Sequence, residues 1–61
     1  MMRYKNKKNG ELYDVENNFV VNCTNANDGQ IMVLYHSVKN PHGKFIRERS
    51  EFYEKFTEQK E

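Results

Sequence analysis

Gly43-Lys-Phe-Ile-Arg-Glu-Arg-Ser-Glu-Phe-Tyr-Glu-Lys-Phe56 changes its hydrophobic rhythm partway through, and that change sets the fold class. Up to Arg47 the residues alternate as in a strand, with Phe45 and Arg47 on one face and Ile46 on the other. After Ser50 the aromatics stand at 52, 53 and 56, which is helical spacing. The Ser50 hydroxyl is suited to accept from the open amides of a first turn, and Glu51 suits the positive end of the helix dipole. The reading is a strand over 44–48, then a short helical turn from Ser50 whose Phe52, Tyr53 and Phe56 form a lid over a small core.

Working back from there, Lys39-Asn-Pro-His-Gly43 reads as a loop, because Pro41 lacks a ladder donor and Gly43 tolerates positive φ. Gln30 to Val38 reads as a strand that is apolar on both faces from Ile31 to Tyr35, and so as a central one. Asp28-Gly29 is a hairpin signal. Before it, Phe19 to Thr24 forms a strand with Phe19, Val21 and Cys23 on one face. Glu16-Asn17-Asn18 separates that strand from an earlier one over 11–15, which carries Tyr13 and Val15 on one side and follows the Asn9-Gly10 turn. The sum is a mainly β chain: a small antiparallel barrel of four or five strands closed by a C-terminal helical turn. Residues 1–8 read as a basic arm and residues 57–61, which lack any apolar side chain, as a frayed tail.

A chain of 61 residues allows one small domain near the lower size limit for a single core. It holds one cysteine, so no internal disulfide can form, and a lone thiol suits a reducing compartment. The basic start has no apolar stretch behind it, and the longest apolar run, Ile31 to Tyr35, is far too short to span a bilayer. Together these point to a cytoplasmic protein without a membrane partner. Asn22-Cys-Thr24 fits a glycosylation acceptor that such a protein does not use.

The net charge of +1 is unevenly spread. Residues 1–10 carry four cations and no anion, residues 11–38 carry Glu11, Asp14, Glu16 and Asp28 and no cation, and residues 39–49 carry Lys39, Lys44, Arg47 and Arg49 against Glu48. Convergence of the first and third segments would give a basic patch.

The landmarks Gly10-x-x-Tyr13-x-Val15, Thr24 before a glycine-bearing turn, Val33-x-Tyr35, Phe45, Arg47 and Phe52 resemble a family of short bacterial and phage proteins that forms a conserved domain of unknown function. That family's pattern is Gly-x-x-Tyr-x-Val, Val-x-Tyr, then an aromatic, Val-Arg-Pro and a closing Phe. The likeness runs from about Tyr4 to Phe56, with Glu48 in place of the usual Pro and Phe45 where Trp is common. It implies a compact barrel similar to Src-homology-3 and Tudor folds, brings no catalytic residue, and permits a role as an inhibitor of a host machine.

Chemistry-bearing groups are sparse. Cys23, His36 and His42 are the only soft metal ligands and are poorly spaced, which suggests a buried Cys23 and two surface histidines and no metal or other cofactor. A Cys23–His36 nucleophile pair would lack an orienting carboxylate. Asp14, Glu16, Asp28 and Glu48 fall at turns or on polar strand faces, unlike a buried acid–base pair, and the three glycines stand apart rather than in a phosphate loop. The chain therefore reads as a non-enzymatic binding module. Its candidate partner surface is Tyr35, Phe45 and Arg47, an aromatic and cationic set on one sheet face; the alternative is a structural Arg47 paired to Glu11 or Asp14. A larger protein is the preferred partner. Nucleic acid is the second, with Lys5, Lys7, Lys8, Lys44 and Arg49 joining Arg47 on phosphates and Tyr35 or Phe45 stacking on a base, and a homodimer is the third.

Overall fold

The computed structural model describes residues 2–59. Its elements are β1 (Met2–Asn6), β2 (Leu12–Val21), β3 (Ile31–Ser37), β4 (Lys44–Glu48), α1 (Arg49–Lys55) and β5 (Phe56–Glu58). All strand pairs are antiparallel, in one sheet of order β4-β3-β2-β1-β5. The sheet does not close, so it is a barrel only loosely: β4 and β5 are its two edges, and α1 links them across the inner face. The fold is thus mainly β with one short C-terminal helix, as the change of rhythm after Arg47 requires.

Four segments differ from the sequence reading. The first is 1–8, read as an arm: Met2–Asn6 is instead a full strand between β2 and β5. Tyr4 explains why, since it is buried while Arg3 and Lys5 alternate with it on the opposite face. Second, Glu16-Asn17-Asn18 does not break the chain into two strands. Register shifts between Val15 and Asn17 and between Asn17 and Val20 absorb the extra residues as bulges, and the Asn17 side chain accepts from the Phe19 amide at 2.8 Å. The strand then stops at Val21, short of Thr24, and β3 begins at Ile31 and ends at Ser37.

Third, α1 begins at Arg49, and its cap lies two residues before the Ser50 expected. Glu48, in place of Ser50, is the N-cap, and its carboxylate accepts from the amides of Ser50 and Glu51 at 3.0 Å each. Those two bonds hold the carboxyl below its usual range, the Ser50 amide contributing most. Fourth, Thr57 and Glu58 are not frayed. Backbone pairing with the open side of β1 holds them, and it needs no apolar side chain; the tail beyond Gln59 lies outside the described residues. The turn signals fare better. Gly10 and Gly29 take φ of +74° and +87°, as their turns require, whereas Gly43 does not use the left-handed region.

The core consists of Tyr4, Val15, Val33, Tyr35, Phe52 and Phe56, with Tyr13 packed against it. It is mostly rings. Phe52 stacks on Phe56 with centroids 4.2 Å apart and meets Tyr4 and Tyr35 edge-on or tilted at 5.2 and 5.0 Å. Phe52 and Phe56 are therefore the lid that their spacing implies. Tyr53 is a rim residue instead: it is half in solvent, rests against Tyr4, and its hydroxyl accepts from Asn18 Nδ2 at 3.3 Å. Phe19 and Val21 are likewise exposed.

Candidate binding groove

The register of β3 and β4 sets Tyr35 opposite Phe45 and Val33 opposite Arg47, so Tyr35, Phe45 and Arg47 do share the inner face. Their exposures differ. Tyr35 is buried, while Phe45 is 47% exposed and Arg47 half-buried. Tyr35 is thus the floor, and only the other two present themselves to a partner. The Phe45 ring lies 5.6 Å from Tyr35 and 6.4 Å from Tyr13, which fixes its tilt over the core.

Arg47 is held from three sides. Its Nε donates to the Tyr35 hydroxyl at 3.2 Å, one guanidinium nitrogen pairs with Glu51 Oε1 at 2.6 Å, and the guanidinium lies 5.9 Å from the Phe56 ring centre. The Tyr35 bond, and after it the Glu51 contact, hold the guanidinium even more firmly protonated than usual against the opposing effect of burial. The expected pairing with Glu11 or Asp14 does not occur. Those residues take Lys39 and Arg3 instead, and Arg47 is fastened to the first turn of α1.

Two adjoining depressions run from this set. One, of about 140 Å³, is lined by Asn6, Tyr13, Tyr35, Phe45, Arg47 and Phe56. The next, of about 260 Å³, is lined by Asn6, Lys8, Arg47 and Lys55. They share Asn6 and Arg47, and so form one groove with an aromatic bed at one end and three cations at the other. Among the described residues no carboxylate is part of its lining, although Glu51 is bonded to Arg47 beside it. Among the described residues neither Lys8 nor Lys55 is in an ion pair. Such a groove suits an extended anionic segment carrying one apolar or flat side chain.

Of the five further cations proposed as phosphate contacts, only Lys8 reaches this groove. Lys5 is on the opposite face with Arg3, and Lys7, whose backbone amide donates to the Lys55 carbonyl at 3.0 Å, is exposed and not part of the groove's lining. Lys44 is on the outer face, bonded to both oxygens of Glu16 at 2.8 and 3.0 Å. Arg49 donates to the Asn18 carbonyl at 3.4 Å and lies 5.5 Å from the Phe19 ring centre. Of the two basic segments, therefore, only Lys8 of the first and Arg47 of the second meet in the groove. Asn6 and Lys55, absent from the sequence reading, do line the groove. Nothing local signals them, because they meet only when β5 returns beside β1.

The outer face carries a ladder of charge across four strands, also unforeseen. Arg3 reaches Asp14 at 2.9 Å, His36 lies between Asp14 at 3.9 Å and Glu16 at 2.7 Å, and Lys44 closes on Glu16 at 2.8 Å. The hydrogen bond from Arg3 holds the Asp14 carboxyl below the usual range, and those from Lys44 and then His36 do the same for Glu16. His36 is therefore not the free surface histidine expected: its side chain is only 13% exposed. Cys23 is exposed rather than buried, because β2 has ended and the residue lies in the loop toward β3, its thiol 3.8 Å from the Val21 carbonyl oxygen. No cluster of three or more His, Cys, Asp or Glu side chains able to hold a metal occurs among the described residues, and no described helix is long and apolar enough to cross a membrane.

No protein-family model, curated protein or solved structure matches the chain. The likeness to short bacterial and phage proteins thus rests on the motif residues alone.

Proposed function

We propose that this protein is a non-enzymatic binding module of the reducing cytoplasm that takes an acidic segment of a larger partner protein into the groove between Phe45 and Lys55. The observation that carries this reading is a half-exposed aromatic on the same depression as Lys8 and Lys55, which have no ion-pair partner among the described residues, with Arg47, itself paired to Glu51, between them. An aromatic and an arginine are the residue types in which interfaces concentrate their energy, and Arg47 is already ordered by Tyr35 and Glu51, so little entropy is lost on binding. Lys8 and Lys55 add long-range attraction for acidic chains. The motif likeness is compatible with an inhibitor that occludes a host machine.

Nucleic acid is the weaker reading, since Lys44 and Arg49 are engaged elsewhere, Lys5 is on the opposite face, and a dedicated binder has a domain pI above about 9, against about 7.9 here. Affinity capture from the native cytoplasm, with and without nuclease, separates the two. A protein retained by the wild type after nuclease and lost from Lys55→Glu supports the proposal. Loss of all captured material on nuclease treatment transfers the groove to nucleic acid, and equal capture by Lys55→Glu refutes the groove.

A further inference from the structure

β4 is hydrogen-bonded to a neighbour on one side only among the described residues, so its other side offers a row of open backbone donors and acceptors. The opposite edge, β5, is three residues long and exposes Thr57 and Glu58, a poor template. β4 is different. Its five residues, Lys44-Phe-Ile-Arg-Glu48, are complementary to themselves when run antiparallel. With the two-fold axis at Ile46, Lys44 falls opposite Glu48 of a second copy, Phe45 opposite its Arg47, and Ile46 opposite its Ile46.

We infer that this chain forms a symmetric dimer by pairing β4 with β4 of a second copy, joining two five-stranded sheets into one. The central pairs are favourable: an arginine beside an aromatic ring on the inner face, and an apolar contact at the centre of the outer face. At each end Lys44, already bonded to Glu16, comes opposite Glu48, whose carboxylate caps α1, so that opposite rather than like charges meet. The exposures fit, because Ile46 and Phe45 are 60% and 47% exposed in the single chain, among the most exposed large apolar residues it has. Leu34 lies opposite Ile46 in the β3–β4 register, so pairing creates an unbroken apolar row, Leu34 and Ile46 of one copy followed by Ile46 and Leu34 of the other. A slip of two residues is penalised in either direction. Both lose the Lys44–Glu48 pairs: one puts Arg47 opposite Arg47, and the other sets Lys44 against Ile46 and exchanges the two Phe45–Arg47 pairs for one Phe45–Phe45 pair; a slip of one is excluded because it opposes residues from different faces.

The two surfaces share Phe45 and Arg47, but the dimer is argued from the open β4 backbone and the outer-face Ile46, so it stands if the partner reading fails. The test is oligomeric state and register. The wild type, followed by sedimentation equilibrium from about 10 μM to 1 mM, is expected to move from 7.4 kDa toward twice that mass. Ile46→Lys, at an exposed site where the fold tolerates the change, sets like charges on the axis and should weaken association more than tenfold. In a Cys23→Ser background, Ile46→Cys should oxidise to a covalent dimer, since directly opposed residues have Cβ atoms about 5 Å apart. Lys44→Cys should not, because its two copies lie four residues apart along the strands. A monomer throughout this range, a dimer indifferent to Ile46→Lys, or cross-linking as efficient at 44 as at 46 overturns the proposal.

Discussion

Replacing Phe52 by alanine tests whether the aromatic lid holds the sheet together. Its side chain is fully buried and touches the rings of Tyr4, Tyr35, Tyr53 and Phe56, with centroid distances of 5.2, 5.0, 5.7 and 4.2 Å. Truncating such a residue costs about 3 to 5 kcal/mol, the sum of lost transfer energy and an unfilled cavity. Stability of about 0.05 to 0.15 kcal/mol per residue gives a chain of this length roughly 3 to 9 kcal/mol in all. Phe52→Ala is therefore expected to be largely unfolded or close to it at 25 °C. Phe52→Leu, closer in volume, should cost about 1.5 kcal/mol and lower Tm by about 6 to 12 °C. Urea unfolding followed by far-ultraviolet circular dichroism gives both values. A midpoint for Phe52→Ala equal to that of the wild type would mean that α1 does not seal the core.

Arg47→Ala removes one partly exposed ion pair and one bond to the Tyr35 hydroxyl, and should cost no more than about 1 kcal/mol of stability while weakening partner binding by about thirtyfold or more, checked by thermal melts and calorimetric titration. Because Asp14 and Glu16 ionise more readily in the folded than in the unfolded chain, the stability they contribute is present above the ordinary carboxylate range and is lost as pH falls through their lowered values. Tm should therefore drop on acidification, and the Asp14→Asn/Glu16→Gln double variant should have a lower plateau and a flatter acid limb in the same melts. Glu48→Ala should lower Tm by removing the cap of α1, and Glu48→Ser should recover most of that loss; equal melting of all three proteins would show that the cap is idle.

The parts of the fold that could be read from the sequence are those in which a local pattern has one physical meaning. Alternation over Lys44–Glu48 followed by aromatics at 52 and 56 can only be a strand passing into a helical turn, and Tyr13, Val15, Val33 and Tyr35 all face the core as alternation requires. The parts misread depend on partners distant in sequence. Met2–Asn6 has one apolar residue that matters, Tyr4, and becomes a strand only because β2 and β5 both pair with it. Thr57 and Glu58 are ordered through β1 backbone groups, which no side-chain pattern announces. The same return of the chain beside β1 completes the groove by bringing Lys55 toward Lys8, so Phe45 and Arg47 were legible as a pair but the basic end was not. Lys44 shows the converse. Adjacent to Phe45 in sequence, it points to the other face and belongs to the charge ladder with Glu16.

The claim that the groove is the binding surface is tested most directly by amide chemical-shift mapping of the ¹⁵N-labelled chain against the partner recovered by capture. Changes are expected at Asn6, Lys8, Phe45, Arg47 and Lys55, with Asp14, Glu16 and His36 on the outer face unmoved. Shifts concentrated on Asp14, Glu16 and His36, with the groove amides unchanged, would contradict it.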